Sequence, residues 1–202
     1  KTGIDWKQVL HGEQGLIVHS PLPPTGTVIG RTRIDEVIDK GAGKGALVYS
    51  SRDIVDKSTG KLYCTVTGTT FCRADGGFGG PSGPLKPVHP IPERAADLAC
   101  QMTTRPEQAL IYRLSGDRNP LHADPKVAAE AKFPMPILHG LATYGVAGHA
   151  ILRELCAYDP SRLKQMHVRF SSPVFPGETI RTELWREGGG RAAFRCWVEE
   201  RN

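Results

Sequence analysis

Apolar residues recur at two spacings along this chain, and the spacing changes near its middle. From Val28 to Val37, Ala46 to Val55 and Leu62 to Arg73, β-branched and aromatic residues run between the turn-forming segments Lys40-Gly-Ala-Gly-Lys-Gly45 and Asp56-Lys-Ser-Thr-Gly60. Runs bounded in this way predict three strands joined by tight turns. Beyond residue 104 the period lengthens. Asp124-Pro125 reads as an N-cap followed by proline at the first helical position, opening a short helix through Val127, Ala128 and Ala131. After Gly140, the residues Leu141, Tyr144, Gly148, Ile151, Leu152 and Leu155 fall at helical spacing. Ala142, Gly145, Ala147 and Ala150 interleave with them, and few polar groups intervene before Arg153. This composition predicts a helix buried nearly all round, whose small residues let other backbone approach. The end of the chain alternates again. Met166, Val168 and Phe170 are set against His167 and Arg169, Ser171-Ser-Pro-Val-Phe-Pro-Gly177 breaks the run, and strands resume from Thr179 to Trp185. A turn at Gly188-Gly-Gly190 leads to Ala192, Phe194, Cys196 and Val198 on one face.

The second half is therefore expected to be an antiparallel meander around one long small-residue helix, the hot-dog arrangement, within an α+β fold. An echo joins the halves: Pro21-Leu-Pro-Pro-Thr-Gly26 precedes the Val28 strand as Pro173-Val-Phe-Pro-Gly177 precedes the Ile180 strand. The expected organisation is a double hot-dog, with an N-terminal repeat over 1–75, a Gly- and Pro-rich linker over 76–104, and a C-terminal repeat over 105–202. Lys1 to Val9 is too short and polar to cover a sheet, and a sheet with an uncovered apolar face is unstable in water. The expectation is that the first repeat is incomplete here, its helix lying upstream or in a segment outside this sequence, and that the chain ends about one strand early against the pattern of the family it resembles.

Candidate chemistry concentrates in Tyr112-Arg-Leu-Ser-Gly-Asp-Arg-Asn-Pro-Leu-His122. Gly116 allows backbone angles closed to other residues, and Pro120 fixes its own φ and keeps Asn119 out of the helical region, so a rigid non-helical corner is expected. Asp117 and His122 flank it and could hold one water between them, the apparatus of proton transfer on a small substrate. Asn119 could tie the loop down or position a carbonyl. The alternative is an Asx-type turn with a solvated histidine after it. Near Gly140 the first free N–H groups of the long helix could stabilise a carbonyl oxygen gaining negative charge, or the glycine could simply let the helix start tightly.

These segments carry a resemblance. Tyr112 to His122, Pro136-Ile-Leu-His-Gly140 and Arg169-Phe-Ser-Ser-Pro-Val-Phe-Pro-Gly-Glu178 resemble the MaoC-like, type 2 enoyl-CoA hydratase family. Leu10-His-Gly-Glu-Gln14, Asp39-Lys-Gly-Ala-Gly43 and Gly76-Gly-Phe-Gly-Gly80 resemble its longer, two-hot-dog form, that of the multifunctional enzymes, so nearly the whole chain is covered. The resemblance implies reversible hydration of a trans-2-enoyl-CoA to the (3R)-3-hydroxyacyl-CoA. It makes Asp117 and His122 the catalytic pair, Asn119 the supporting amide and the Gly140 N–H the donor to the thioester oxygen. It further implies that His11, Gly12, Lys40, Asp117, Arg118, Asn119, Pro120, Leu121, His122, Gly140 and Phe170 line the acyl-CoA site. His122 is assigned as base toward water and Asp117 as proton donor, the roles exchanging in the reverse direction. Without the resemblance, Lys40 reads as a solvated hairpin lysine. The first half has no counterpart of Asp117-x-Asn-x-x-His122, so the pair is expected once per chain. The alternatives are a non-catalytic acyl-thioester-binding hot-dog module and a hot-dog thioesterase.

Composition narrows the field. Five cysteines, Cys64, Cys72, Cys100, Cys156 and Cys196, form an odd set without Cys-x-x-Cys, which indicates neither zinc ligation nor a disulfide framework. His139 and His149 could be grouped with His122 as metal ligands, but their spacing fits no familiar site, and core or cap roles are preferred. The net charge of +5 is spread along the chain, which suits the phosphates of CoA and lacks the basic stripe of a nucleic-acid binder. No apolar run could span a bilayer. No cofactor is expected, CoA being part of the substrate. A homodimer is expected from the family, in the cytoplasm of a bacterium or the peroxisome of a eukaryote.

Overall fold

The computed structural model describes residues 3–201. Among them are the strands β1 (Val9–Val18), β2 (Val28–Asp39), β3 (Ala46–Asp56), β4 (Leu62–Cys72), β5 (Leu98–Thr103), β6 (Gln165–Arg169), β7 (Thr179–Gly188) and β8 (Arg191–Val198). The helices are α1 (Gln108–Arg113), α2 (Pro125–Glu130) and α3 (Gly140–Cys156). They form two compact units. One runs to Lys86 and takes in Ser161–Ser171; the other comprises Pro87–Pro160 with the residues from Ser172 on.

The first unit is one antiparallel sheet in the order β2-β3-β4-β1-β6. The three expected strands are present as β2, β3 and β4. At the β2–β3 turn Lys40 N–H donates to Gly45 O at 3.0 Å, and a side chain at Gly45 would meet the Cys72 carbonyl at 2.6 Å, with φ at +77°, so only glycine fits. Between β3 and β4 the Asp56 carboxylate accepts the N–H groups of Ser58 (2.9 Å) and Thr59 (2.8 Å) and both hydroxyls, led by that of Ser58, which hold its pKa far below the usual carboxylate range. β2 is an edge strand and leaves Ile34 exposed, at 60 %. No α-helix lies among the described residues of this unit.

The last strand of the sheet corrects the expected meander. β6 does not pair with β7; it joins β1, with Gln14 opposite Val168, Gly15 opposite His167 and Leu16 opposite Met166. Gly15 makes this possible, because a Cβ there would collide with the Thr67 hydroxyl and the His167 ring. Pro173 and Pro176, in the break between the strands, lack the N–H that would continue a ladder.

In the second unit β7 lies between β5 and β8, and α3 packs on β5 and β7. β5 occupies the end of the stretch expected to be linker. Its Leu98, Cys100 and Met102 turn toward the core while Ala99, Gln101 and Thr103 are exposed. Ile180, Thr182 and Leu184 of β7 are almost completely buried. Trp185, also buried, donates its Nε1–H to the Arg94 carbonyl at 2.8 Å. α3 buries Ala142, Ala147, Ala150, Ile151 and Cys156, and burial of a side chain such as Ile151 stabilises by about 2 kcal/mol. The helix is not buried all round, however: Leu141, Gly145, His149 and Arg153 form an exposed stripe at four-residue steps. α2 starts as expected, with the Asp124 carboxylate accepting Lys126 N–H at 2.8 Å and Pro125 in the first turn.

Candidate active site

The Tyr112 to His122 corner is built by short backbone bonds. α1 ends at Arg113, after which Ser115 N–H donates to Tyr112 O (2.8 Å) and Gly116 N–H to Arg113 O (3.2 Å). Gly116 then takes φ +111°, which sends the chain away from the helix axis. Asp117 accepts Asn119 N–H at 3.2 Å, and Asn119 Oδ1 accepts Leu121 N–H at 3.0 Å, capping a single 3-10 turn over Pro120–His122. The corner expected to be non-helical thus ends in one helical turn, because proline suits its first position and Asn119, at φ −55° and ψ 121°, sits just outside it. Asn119 spends its carbonyl on tying the loop down. Leu121 is buried and anchors the corner, Asn119 is half-buried, and Asp117 and Arg118 are exposed.

His122 donates Nδ1–H to the Ile137 carbonyl at 2.8 Å. A carbonyl can only accept, so the proton is fixed on Nδ1 and Nε2 carries a lone pair. Burial lowers the pKa of His122, against the opposing pull of the Ile137 carbonyl and the Asp117 charge. The ring is thus neutral and basic near neutral pH. The Asp117 carboxylate lies close by: one donor atom each from Asp117, His122 and His139 all fall within 4.8 Å of one another. That separation is under two hydrogen-bond lengths of about 2.8 Å each, so one water can bridge the acid and the imidazole.

His139, expected in a core or cap role, belongs to this cluster. It is the residue before α3, yet its side chain makes no capping bond. At 1 % exposure, its ring stacks on His122 with centroids 3.8 Å apart and planes at 28°, and tilts against Tyr112 at 4.7 Å. Nε2–H donates to the Asp117 carbonyl at 3.2 Å, while Nδ1 is buried without a partner. Burial first, and then the neighbouring His122, lower its pKa. Burial and the Asp117 charge raise that of the Tyr112 phenol. The Asp117, His122 and His139 donors are near enough to suggest a metal site. Stacked rings direct their in-plane lone pairs along nearly parallel planes, so both imidazoles could reach one ion only after a ring had turned. The signal in the sequence was its place directly before Gly140, at the start of a buried helix.

Gly140 opens α3, so its N–H has no carbonyl one turn back to accept it, and the helix dipole is positive there. The segment before it is fixed by Leu138 N–H donating to Val174 O at 2.7 Å. Asp117, Asn119, His122 and Gly140 all belong to the second unit.

The first unit gathers the other residues of interest. A register shift between His11 and Glu13 sets Gly12 out of the β1–β4 ladder, and Gly12 O instead accepts Phe170 N–H at 2.9 Å. The His11 and Phe170 rings meet at 5.0 Å. Lys40 Nζ lies 4.9 Å from the centre of the Phe71 ring. Beside it is a residue whose role the sequence did not disclose. The Asp39 carboxylate accepts the N–H groups of Gly41 (2.8 Å), Gly77 (2.6 Å) and Gly79 (2.8 Å), which lower its pKa, the Gly77 bond most of all. One carboxylate thus ties Asp39-Lys-Gly-Ala-Gly43 to Gly76-Gly-Phe-Gly-Gly80, two glycine-rich segments far apart in the chain.

Comparison with known proteins divides the chain near residue 80, with residues 161–171 of the first unit falling inside the second match. The family model of the MFE-2 hydratase 2 N-terminal domain matches residues 1–74, and that of the MaoC like domain matches residues 86–201. The 3-hydroxyacyl-thioester dehydratase Y of Mycobacterium tuberculosis is 47% identical over 191 residues, 94% of this chain and 66% of that protein. The peroxisomal enoyl-CoA hydratase 2 of Arabidopsis thaliana is 40% identical over 203 residues, 96% of this chain and 65% of that protein. The chain thus spans about two thirds of the length of these curated relatives. The crystal structure of a MaoC-like dehydratase from Phytophthora capsici superposes with a TM-score of 0.89 at 40% identity, over 98% of this chain and 68% of that one. A Mycobacterium tuberculosis protein described as having a double hotdog fold shares the fold, with a TM-score of 0.58 at 16% identity over 96% of this chain and 69% of that one. With the Asp117 and His122 corner, the helix opening at Gly140 and the antiparallel sheets all inside the matched segments, the chain belongs to the MaoC like domain family.

Proposed function

We propose that this chain carries the centre of a hydro-lyase that adds water across the double bond of a trans-2-enoyl-CoA to give the (3R)-3-hydroxyacyl-CoA, and removes it in the reverse direction. The observation that carries the reading is a neutral His122 with its lone pair on Nε2 and a ring nitrogen within 4.8 Å of an Asp117 carboxylate oxygen. Relatives named as enoyl-CoA hydratase 2 and 3-hydroxyacyl-thioester dehydratase support it.

In this mechanism the pair passes one proton between its members, taken from water and given to C2. His122 Nε2 takes a proton from the bridging water as the oxygen attacks C3. Negative charge moves onto the thioester oxygen, where the Gly140 N–H and the positive end of α3 stabilise it. Asp117 receives that proton from His122 and delivers it to C2, so both members of the pair end as they began. Asn119 keeps the loop in shape by its bond to Leu121 N–H. In this reading His11, Gly12, Lys40 and Phe170 line the acyl-CoA. The protein works as a homodimer, in the peroxisome of a eukaryote or the cytoplasm of a bacterium.

The test uses the full-length protein with crotonyl-CoA and a longer enoyl-CoA, following loss of the conjugated double bond. Turnover that collapses in Asp117→Asn and His122→Ala supports the proposal. Full activity in both variants, or release of free CoA in place of hydration, rejects it.

A further inference from the structure

Against the proposed pair packs a third side chain that no step of the reaction uses. His139 touches the ring of His122 by stacking and the backbone of Asp117 by a hydrogen bond, and it precedes the Gly140 N–H directly in the chain. It is also the one of the three that is fully shielded from water. A buried Nδ1 without a partner is a cost that an apolar side chain of similar size would avoid. The imidazole therefore has to be accounted for by its other contacts. Its Nε2–H satisfies the Asp117 carbonyl at the point where the corner leaves Gly116, and its flat face sets the plane in which His122 can lie.

We propose that His139 is a positioning residue of the hydratase centre: as the neutral Nε2–H tautomer it fixes the Asp117 backbone and the His122 ring plane relative to the start of α3, so that base, acid and Gly140 N–H keep one geometry. The inference rests on the hydratase reading above. Tautomer and charge matter here because a proton on Nδ1 would be a buried donor without an acceptor, beside a second imidazole. The groups facing the ring are His122 and Asp117 from the corner and Tyr112 from α1, whose phenol is neutral. Asp117 alone favours a charged ring, and burial outweighs it.

Three variants of the full-length protein separate the contributions. His139→Phe keeps a flat ring and removes the donor; His139→Gln keeps an N–H that can reach the place of Nε2 and removes the ring; His139→Ala removes both. Displacement of reacting groups by about 1 Å costs roughly 10²-fold in rate, and that is the fall in kcat expected for His139→Ala, with KM changed by less than about threefold. His139→Phe should fall by a comparable factor, and His139→Gln should recover at least about tenfold of it. With the ring gone, His122 is less shielded, so the acid limb of the kcat profile should move to higher pH in His139→Ala. A general loss of folded protein would scale the profile without moving it.

A kcat for His139→Phe equal to that of the wild type, with His139→Gln no better, overturns the proposal while leaving the hydratase reading intact. Activity retained in Asp117→Asn and His122→Ala overturns the hydratase reading instead. Nitrogen-15 NMR of the imidazoles reads the contact without any turnover. His122 that keeps both its tautomer and its titration in His139→Ala overturns the positioning role directly, whatever the reaction.

Discussion

Replacing Gly140 by proline isolates one N–H group. Proline at the interior of a helix costs about 3 kcal/mol, but at the first helical position its missing N–H belongs to a group that the helix leaves unpaired anyway. Gly140 holds that position in α3. Proline also restricts the residue before it to extended or polyproline angles, and His139 already has φ −59° and ψ 137°. Gly140→Pro is therefore expected to fold with a melting temperature close to that of the wild type. What it removes is the donor aimed at the thioester oxygen. Loss of one such donor costs about 2.7–4 kcal/mol in transition-state stabilisation, or 10²–10³ in kcat. Because the donor acts on charge that develops during the reaction, kcat should fall with little change in KM. Gly140→Ala supplies the control, since it adds a Cβ and keeps the N–H. The assay is kcat and KM of the full-length protein on crotonyl-CoA, alongside a thermal melt of each variant. A proline variant that melts normally and retains kcat within about threefold of the wild type would refute the oxyanion role. An alanine variant as damaged as the proline variant would show that space at residue 140, and not the N–H, is what the reaction needs.

The acid limb of kcat/KM should lie below pH 6.5, because burial lowers the pKa of His122 and its neutral form is the base; a limb above that value contradicts the assignment. The same shifts in His122 and His139 make folding oppose protonation. The unfolded chain then binds more protons between the folded and unfolded pKa values, so stability is lost as pH falls below about 6.5, and thermal melts across pH 5 to 7 measure this. Asn119→Ala removes the cap on Leu121 N–H and should cost about 1 kcal/mol in a denaturant melt, with a larger loss of kcat as the corner loosens. Asp39→Asn should lower the melting temperature, since an amide oxygen accepts more weakly from Gly41, Gly77 and Gly79. The wild-type advantage over this variant should vanish as pH falls below about 3.8 through the lowered pKa of Asp39, and an advantage that survives there contradicts the reasoning.

How far each element could be read from the sequence depends on how local its cause is. β2, β3 and β4 each carry an apolar pattern and end at glycine-rich or Asp-anchored turns, and they stand within a few residues of their expected bounds. α3 was visible in its period, but the exposed stripe at Leu141, Gly145, His149 and Arg153 was not, because glycine and alanine fit either environment. β5 does alternate, through Leu98, Cys100 and Met102, yet the Gly- and Pro-rich segment before it masked a short signal. The alliance of β6 with β1 has no local cause at all. It depends on the space at Gly15 and on prolines after β6, and pairing between residues about 150 positions apart is not encoded in the period of either strand. In the same way, nothing local to Asp39 marks its carboxylate as the tie between two glycine-rich segments.

The two stacked histidines show where residue identity stops and environment begins. Both are neutral, both lie beside Asp117, and both give one N–H to a backbone carbonyl. The carbonyl chosen decides the rest. His122 is bonded through Nδ1 to Ile137, which leaves Nε2, at the far end of a partly exposed ring, as the basic atom. His139 is bonded through Nε2 to Asp117, which leaves its lone pair on a buried Nδ1 that no water reaches. A base needs a lone pair that its proton donor can approach, and His122 alone meets that condition. The order of the motifs places two imidazoles at this centre, but the assignment of base to one and support to the other comes from which nitrogen each carbonyl holds.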